Sequence, residues 1–112
     1  HVDVFPHPTG RLTNGRRAAR FDFDRIVKAA ADHGVMPEVD AQPERLDLDD
    51  VSVRAAISGG ARIIIDTDAH SPPELRFMRW GVDQARRGWA ERADVANTRP
   101  LSRFVKLLHA HR

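Results

Sequence analysis

The chain has 112 residues, of which 41% are hydrophobic and 30% charged, a balance typical of one globular domain and not of a disordered segment. It contains no cysteine, which excludes disulfides, thiolate metal sites and cysteine nucleophiles and agrees with a cytoplasmic location. The formal net charge of +2 does not by itself imply nucleic-acid binding, and no apolar run approaches the ~20 residues that cross a bilayer, so we expect no membrane partner.

The first third of the chain predicts a strand, a loop and a helix. Residues 2–5 alternate apolar and polar side chains before a proline, which predicts a strand. Residues 8–20 contain two glycines and four arginines and predict a loop. Apolar residues at helical spacing, between a capping Asp22 and a terminating Gly34, then predict a helix over residues 23–33.

The middle third predicts two further strands around a second helix. Residues 35–39 predict a strand, in which Pro37 argues against a central, fully paired position. A second helix is expected from Asp49 and Asp50 to the glycines that follow Ser58. Residues 62–66 contain three consecutive isoleucines, and a strand that is apolar on both faces is typical of a parallel sheet with helices on both sides.

The last third predicts two helices. Ser71 and Glu74, spaced as a capping box around two prolines, predict a helix start, and Pro100 begins the last helix. The resulting order, β-α-β-α-β-α-α, predicts an α/β fold of parallel strands with helical crossovers. Trp80 and Trp89 are expected to pack in the core, with stacking on nucleic-acid bases as the alternative.

Imidazole and carboxylate side chains follow all three predicted strands. The carboxyl ends of parallel strands meet at one edge of a sheet, where ligands collect in α/β folds. Imidazole and carboxylate together suit Zn²⁺, Mn²⁺ or Fe²⁺, although an Asp-x-His sequence after a strand is also common in solvated turns. The candidate residues are His7, Glu38, Asp40, Asp66, Asp68 and His70.

Arginines are concentrated in the loop that follows the first predicted strand. Arg11, Arg16 and Arg17 are candidates for contact with DNA phosphates, since a guanidinium binds two phosphate oxygens at once. The alternative is a solvated loop whose arginines pair with Asp22 and Asp24.

Four segments together resemble one known family. HPTGR from His7, EVDAQPERLDL from Glu38 and DTDAHS from Asp66 resemble three successive segments of the PHP (polymerase and histidinol phosphatase) domain. MRWGVDQARRGW from Met78, with the Asn-Thr pair at 97–98, looks like the version attached to bacterial and archaeal family X DNA polymerases. The resemblance covers nearly the whole chain.

The resemblance implies a fold and a set of ligands. The fold is a distorted (β/α)₇ barrel with up to three divalent metal ions, Mn²⁺ or Zn²⁺. His7, Asp68 and His70 match ligands of the family, whereas its other ligands lie upstream of anything in this sequence. Residues 1–112 would then be a single partial domain, the C-terminal half of the barrel. Asp40 and Asp66 stand where the family commonly has asparagine.

The same resemblance implies a function. It is metal-dependent phosphoester hydrolysis, as a 3′-5′ exonuclease acting on a DNA 3′ end in repair, with the isolated chain poorly active. One alternative is a stand-alone phosphatase for a small phosphomonoester such as histidinol phosphate. Another is an inactive structural or DNA-docking fragment. We also expect this half of the barrel to associate with itself or with the missing N-terminal part.

Overall fold

The computed structural model describes residues 1–108 and 110, and in this part of the chain three β-strands alternate with four α-helices. Their order is β1 (Val4–Phe5), α1 (Phe23–His33), β2 (Met36–Asp40), α2 (Asp50–Ser58), β3 (Ile64–Asp66), α3 (Met78–Arg87) and α4 (Leu101–Leu108). A 3-10 segment, Pro72–Phe77, precedes α3, and two shorter ones, Arg92–Asp94 and Ala96–Thr98, precede α4. The order confirms the predicted α/β alternation.

Local capping signals set the limits of the first two helices. The Asp22 side chain accepts a hydrogen bond from the Arg25 N–H at the start of α1, and Gly34 ends that helix with a left-handed φ of 67°. Asp49 accepts from the Ser52 N–H at the start of α2. None of the helices in the described part of the chain is both long and apolar enough to cross a membrane.

The predicted helix start is present, with Ser71 in the N-cap position and Pro72 as the first helical residue, but the first turns are a 3-10 helix and the α-helix begins at Met78. The predicted capping box is wrong, because Ser71 makes no side-chain cap. The Glu74 carboxylate that would complete it accepts the main-chain N–H of His70 at 2.7 Å. The Glu74 carboxylate therefore binds the main chain of the preceding loop instead of capping the helix.

The three strands form one parallel sheet in the order β1-β2-β3. β2 is central, so the prediction drawn from Pro37 is wrong. The strand tolerates the proline because pairing with β3 begins one residue later, at Glu38 opposite Ile64. The pairing with β1 ends at Pro37 opposite Phe5. The position at which Pro37 lacks an N–H group therefore lies just before the β2–β3 ladder, where no hydrogen bond to β3 is required.

The outer edge of β3 is covered by the segment that follows α3. Ile63, just before the strand, makes a parallel bridge with Val95. The Asn97 side chain then takes the place of a further strand, because it donates to the Ile65 carbonyl at 2.6 Å and accepts from the Ile65 N–H at 3.2 Å. The backbone of this edge is thus paired without another regular strand.

Apolar side chains cover both faces of the sheet. Val39, Ile63 and Ile65 pack on one face against residues of α1, α2 and α3. Met36 and Ile64 pack on the other face against α4. This arrangement confirms that the isoleucine strand is buried with helices on both sides. Within residues 1–108 and 110, Ala96 of the segment before α4 also packs on this second face.

The two tryptophans lie outside the core, so that prediction is wrong. Trp80 is 41% exposed and Trp89 is 71% exposed. The physical reason is the face that α3 turns to the sheet, where its buried residues are Gly81, Gln84 and Ala85. A Cβ added at Gly81 would lie 2.5 Å from the Ile65 side chain, so α3 approaches the sheet too closely for a side chain at that position.

Candidate functional site

The carboxyl ends of β2 and β3 carry three acidic side chains on one face of the sheet. Glu38 and Asp40 are two residues apart on β2 and therefore point to the same side. Asp66 is the register partner of Asp40 on β3. Glu38 and Asp40 are buried, and Asp66 is half-buried. The sheet register, rather than any local turn, therefore creates the acidic cluster.

Glu38 holds a proton near neutral pH. Burial, a hydrogen bond with the Asp66 side chain and the negative charges of Asp66 and Asp40 together raise the pKa of Glu38 to about 8, against the opposing effect of the His7 N–H that Glu38 accepts. The protonated Glu38 carboxyl is therefore a hydrogen-bond partner of the Asp66 side chain.

Asp40 is fully buried and is held by its own loop. Burial raises the pKa of Asp40, with the charges of Asp68 and Asp66 adding to the effect. Its Oδ1 accepts the Gln42 N–H at 2.8 Å, and its Oδ2 lies 3.6 Å from Nε of Arg45 without a hydrogen bond. The buried Asp40 carboxyl is therefore held by the Gln42 turn, with the Arg45 guanidinium as a nearby cation.

The loop that carries His7 is fixed by a buried aspartate that sequence reasoning missed. Asp47 is fully buried, and its Oδ2 accepts the N–H groups of Thr9 and Gly10, both at 2.9 Å. The His7 N–H donates to Glu38, which links the loop to the acidic cluster. The backbone of His7 lies in the left-handed region, with φ of 28°.

A second loop carries Asp68 and His70 and is fixed by Gln42. The Gln42 side-chain amide donates to the carbonyls of Thr67 at 3.0 Å and Asp68 at 2.9 Å. Asp68 also has a left-handed φ, 47°. Non-glycine residues with positive φ are uncommon, cost of the order of 1 kcal/mol and concentrate at functional sites.

The same loop sets the hydrogen position on the His70 ring. Nδ1 lies 2.7 Å from the Asp68 carbonyl oxygen, which only accepts, so Nδ1 carries the hydrogen. Nε2 then has a free lone pair, the form in which imidazole binds a metal ion. Glu74 holds the main chain of His70 from the other side. Gln42 and Glu74 are thus positioning residues, and no local pattern singles them out.

The donor types fit a divalent cation, but the ligand set is incomplete. The structure gathers Glu38, Asp40 and Asp66 and links His7 to them through its main chain. In residues 1–108 and 110, however, no three His, Cys, Asp or Glu side chains are arranged to hold one ion. The assignment of His7, Asp68 and His70 as ligands therefore stays a prediction.

Two arginines of the loop after β1, Arg11 and Arg16, bind main-chain carbonyls of the chain itself. Arg11 donates to the main-chain carbonyls of Arg45, at 2.8 Å, and Leu46, and its Nη1 lies 3.9 Å from Asp49. Arg16 donates to the Gly10 carbonyl at 2.7 Å, and Arg17 is exposed. Arg11 thus pairs with Asp49 and not with Asp22 or Asp24, and phosphate contact by Arg11, Arg16 and Arg17 stays a prediction.

A comparison with curated proteins finds a clear similarity. Over 101 residues, 90% of this chain, it is 40% identical to the DNA polymerase/3′-5′ exonuclease PolX of Bacillus subtilis (strain 168). The chain spans 18% of the length of that enzyme. No protein-family model matches the chain. The similarity confirms the resemblance to family X polymerases that the motifs predict.

Proposed function

We propose that this chain is part of the nuclease region of a family X DNA polymerase and contributes to metal-dependent removal of nucleotides from a DNA 3′ end. The similarity to PolX supports this proposal over the small-monoester phosphatase, because that relative is a DNA polymerase/3′-5′ exonuclease. The chain covers 18% of that enzyme, so exonuclease activity is proposed for the protein to which this chain contributes.

One observation carries the proposal: two loops with strained ligand candidates stand at the rim of one acidic cluster. His7 and Asp68 both have positive φ values. Buried Asp47 holds the first loop, and buried Gln42 holds the second. A solvated turn has no need of buried polar supports, whereas a binding site requires its ligands held in place.

His7, Asp68 and His70 are the residues that would hold the cation. A divalent ion there would supply Lewis-acid stabilisation of charge on the phosphoryl oxygens. His70 would bind through Nε2, because Nδ1 donates to the Asp68 carbonyl. Further ligands would come from outside these 112 residues, as part of the upstream half of a (β/α)₇ barrel.

The acidic residues behind this rim have a different role in the proposal. Glu38 is protonated near neutral pH, because its pKa is raised to about 8, which limits the negative charge that a phosphate substrate meets. Asp40 is too deeply buried to touch substrate and acts by orienting the Gln42 turn. Arg16 and Arg17, which are exposed, are the candidates for phosphate contact.

The test compares variants in the parent protein, expressed with the sequence that precedes His1. A 5′-labelled single-stranded oligonucleotide and Mn²⁺ are expected to give mononucleotide release. His70→Ala and Asp68→Ala are expected to lower the rate by about 100-fold, because ligand loss removes the stabilisation of phosphoryl charge. The isolated chain is expected to show little activity.

His33→Ala is the matched control, since His33 is an exposed histidine at the end of α1. It is expected to keep the full rate. A full rate in His70→Ala would contradict the assignment of that residue. Release of phosphate from a small monoester, without attack on the oligonucleotide, would favour the phosphatase instead.

A further inference from the structure

Both tryptophans of the chain lie on the surface with an arginine over each ring. The Arg79 guanidinium lies 4.8 Å from the Trp80 ring centroid, and the Arg54 guanidinium lies 4.8 Å from that of Trp89. Each cation covers part of its ring and leaves exposed aromatic surface. We call the surface formed by Arg54, Arg79, Trp80, Arg87 and Trp89 the tryptophan strip.

The strip is continuous along α3. Trp80 and Arg87 are seven residues apart, two helical turns, and therefore lie on the same side of the helix. Arg87, Trp89 and Arg54 line one small open cavity of about 250 Å³, together with Asp50 and Val51 of α2. The strip thus runs from the start of α3, past its end, onto the start of α2.

Trp89 occupies a position that folding alone does not favour. Its φ is 63°, and the Ala90 N–H donates to the Ala85 carbonyl at 2.9 Å, a helix ending in which glycine commonly takes the left-handed place. The preceding Gly88 is fixed by packing, since an added Cβ would lie 2.5 Å from Val53. The exposed ring is held in a strained backbone without burial to offset the cost.

We infer that the tryptophan strip binds single-stranded nucleic acid, with unpaired bases stacked on Trp80 and Trp89 and phosphates on the arginines. Every base presents a flat face to an indole ring, so stacking requires single strands and tolerates any sequence. The charge of the strip favours a polyanion, because its three arginines, Arg54, Arg79 and Arg87, outnumber the two nearby aspartates, Asp50 and Asp83.

The inference deepens the proposed function and rests on it for the identity of the strand. Trp80 follows Glu74, which holds the main chain of His70, by six residues. The 3-10 segment Pro72–Phe77 therefore joins the loop of His70 directly to the helix that carries Trp80. The Arg11 loop lies on a separate segment and is not needed for this contact.

Binding is tested on the 112-residue chain in EDTA, where metal-dependent hydrolysis cannot occur. The probe is a labelled short oligothymidylate, followed by anisotropy and by quenching of the intrinsic tryptophan fluorescence. We expect quenching, and binding that is ~10-fold tighter than to a duplex of the same length. Higher salt is expected to weaken binding, since phosphate contacts release counterions.

Trp89→Gly is the decisive variant, because glycine relieves the positive φ and keeps the fold. We expect its affinity to fall ~10-fold, with an unchanged far-ultraviolet circular dichroism spectrum. Trp89→Phe is expected to keep most of the affinity. Arg54→Gln is expected to weaken binding more than Arg25→Gln, which removes an exposed arginine from α1.

Unchanged affinity in Trp89→Gly, equal binding of single strands and duplex, or no quenching would each overturn the inference. Self-association of the chain through the strip, detected as loss of dimers in Trp89→Gly without oligonucleotide binding, would overturn it as well. If the parent protein bound the oligonucleotide on the tryptophan strip but did not hydrolyse it, the inference about the strip would hold and the proposed nuclease function would be rejected. If it hydrolysed the oligonucleotide without binding it on the strip, the nuclease function would hold and the inference would be rejected.

Discussion

The raised pKa of Glu38 gives the stability of the folded chain an unusual dependence on pH. The pKa of Glu38 is about 8 in the folded chain, against ~4.3 for an unperturbed glutamate. Between those two values the folded state binds a proton that the unfolded state has released. The free energy of unfolding therefore falls as the pH rises through this window.

Glu38→Gln replaces the protonated carboxyl by a neutral group of the same shape. In EDTA, we expect this variant to be more stable than the wild type at pH 8 by ~1–3 kcal/mol, and the gain to shrink towards pH 5. Urea unfolding at the two pH values measures it. Glu44→Gln, in the exposed loop after β2, is the matched control. If the free energy of unfolding depended on pH in the same way in the wild type and in Glu38→Gln, that result would contradict the raised pKa of Glu38.

Single residues divide into those that sequence can predict and those that it cannot. The residues at the strand ends are predictable because parallel strands bring their carboxyl ends together. Asp47 is not, because it acts on an N–H 38 residues away, and Gln42 acts on a carbonyl 25 residues away. Neither partner is visible in the pattern around these side chains.

At the scale of elements, α3 shows how packing overrides local pattern. Gly81 is a poor helix former in the middle of α3, yet it permits contact with Ile65 and Ala41 of the sheet. The helices α1 and α2 are predictable because their caps lie within four residues of the first turn. The limits of α3 and its inner face depend instead on β2 and β3.

Gly81→Ala tests this packing. Helix propensity alone would favour alanine by ~1 kcal/mol. We expect the opposite sign, a loss of ~1–3 kcal/mol in the free energy of unfolding, because the added Cβ would lie 2.5 Å from Ile65 and 3.0 Å from the Ala41 Cβ. Gly15→Ala, whose nearest contact is 3.5 Å, is the control and should be nearly neutral. Stabilisation by Gly81→Ala would contradict the close packing of α3 against Ile65 and Ala41.

At the scale of the whole molecule, β1 is the edge strand of the sheet, and within the described residues β2 is the strand that pairs with it. β1 pairs through two residues, and an apolar groove of about 670 Å³ runs between it and α1. Val2, Phe5, Ile26 and Val35 are among the residues that line it. An open strand edge beside apolar surface is a site for pairing with another chain.

We therefore expect the 112-residue chain to self-associate in solution, as sedimentation velocity over a concentration series would reveal. Val2→Lys should shift the distribution to monomer, because a charged residue at a strand edge opposes pairing. Leu101→Lys is the matched control, since Leu101 is 76% exposed on α4 and Val2 is 64% exposed beside β1. A strictly monomeric wild type would contradict the half-barrel proposal.

The staggered register of β2 has one more consequence. β1 pairs with Met36 and Pro37, whereas β3 pairs with Glu38, Val39 and Asp40, so the two ladders occupy successive stretches of one strand. Local opening of β1 therefore leaves the β2–β3 ladder intact. Amide hydrogens of the first segment would exchange with deuterium before those of the isoleucine strand. The loop that bears His7 would share that faster exchange, slowed by its hydrogen bonds to Asp47 and Glu38.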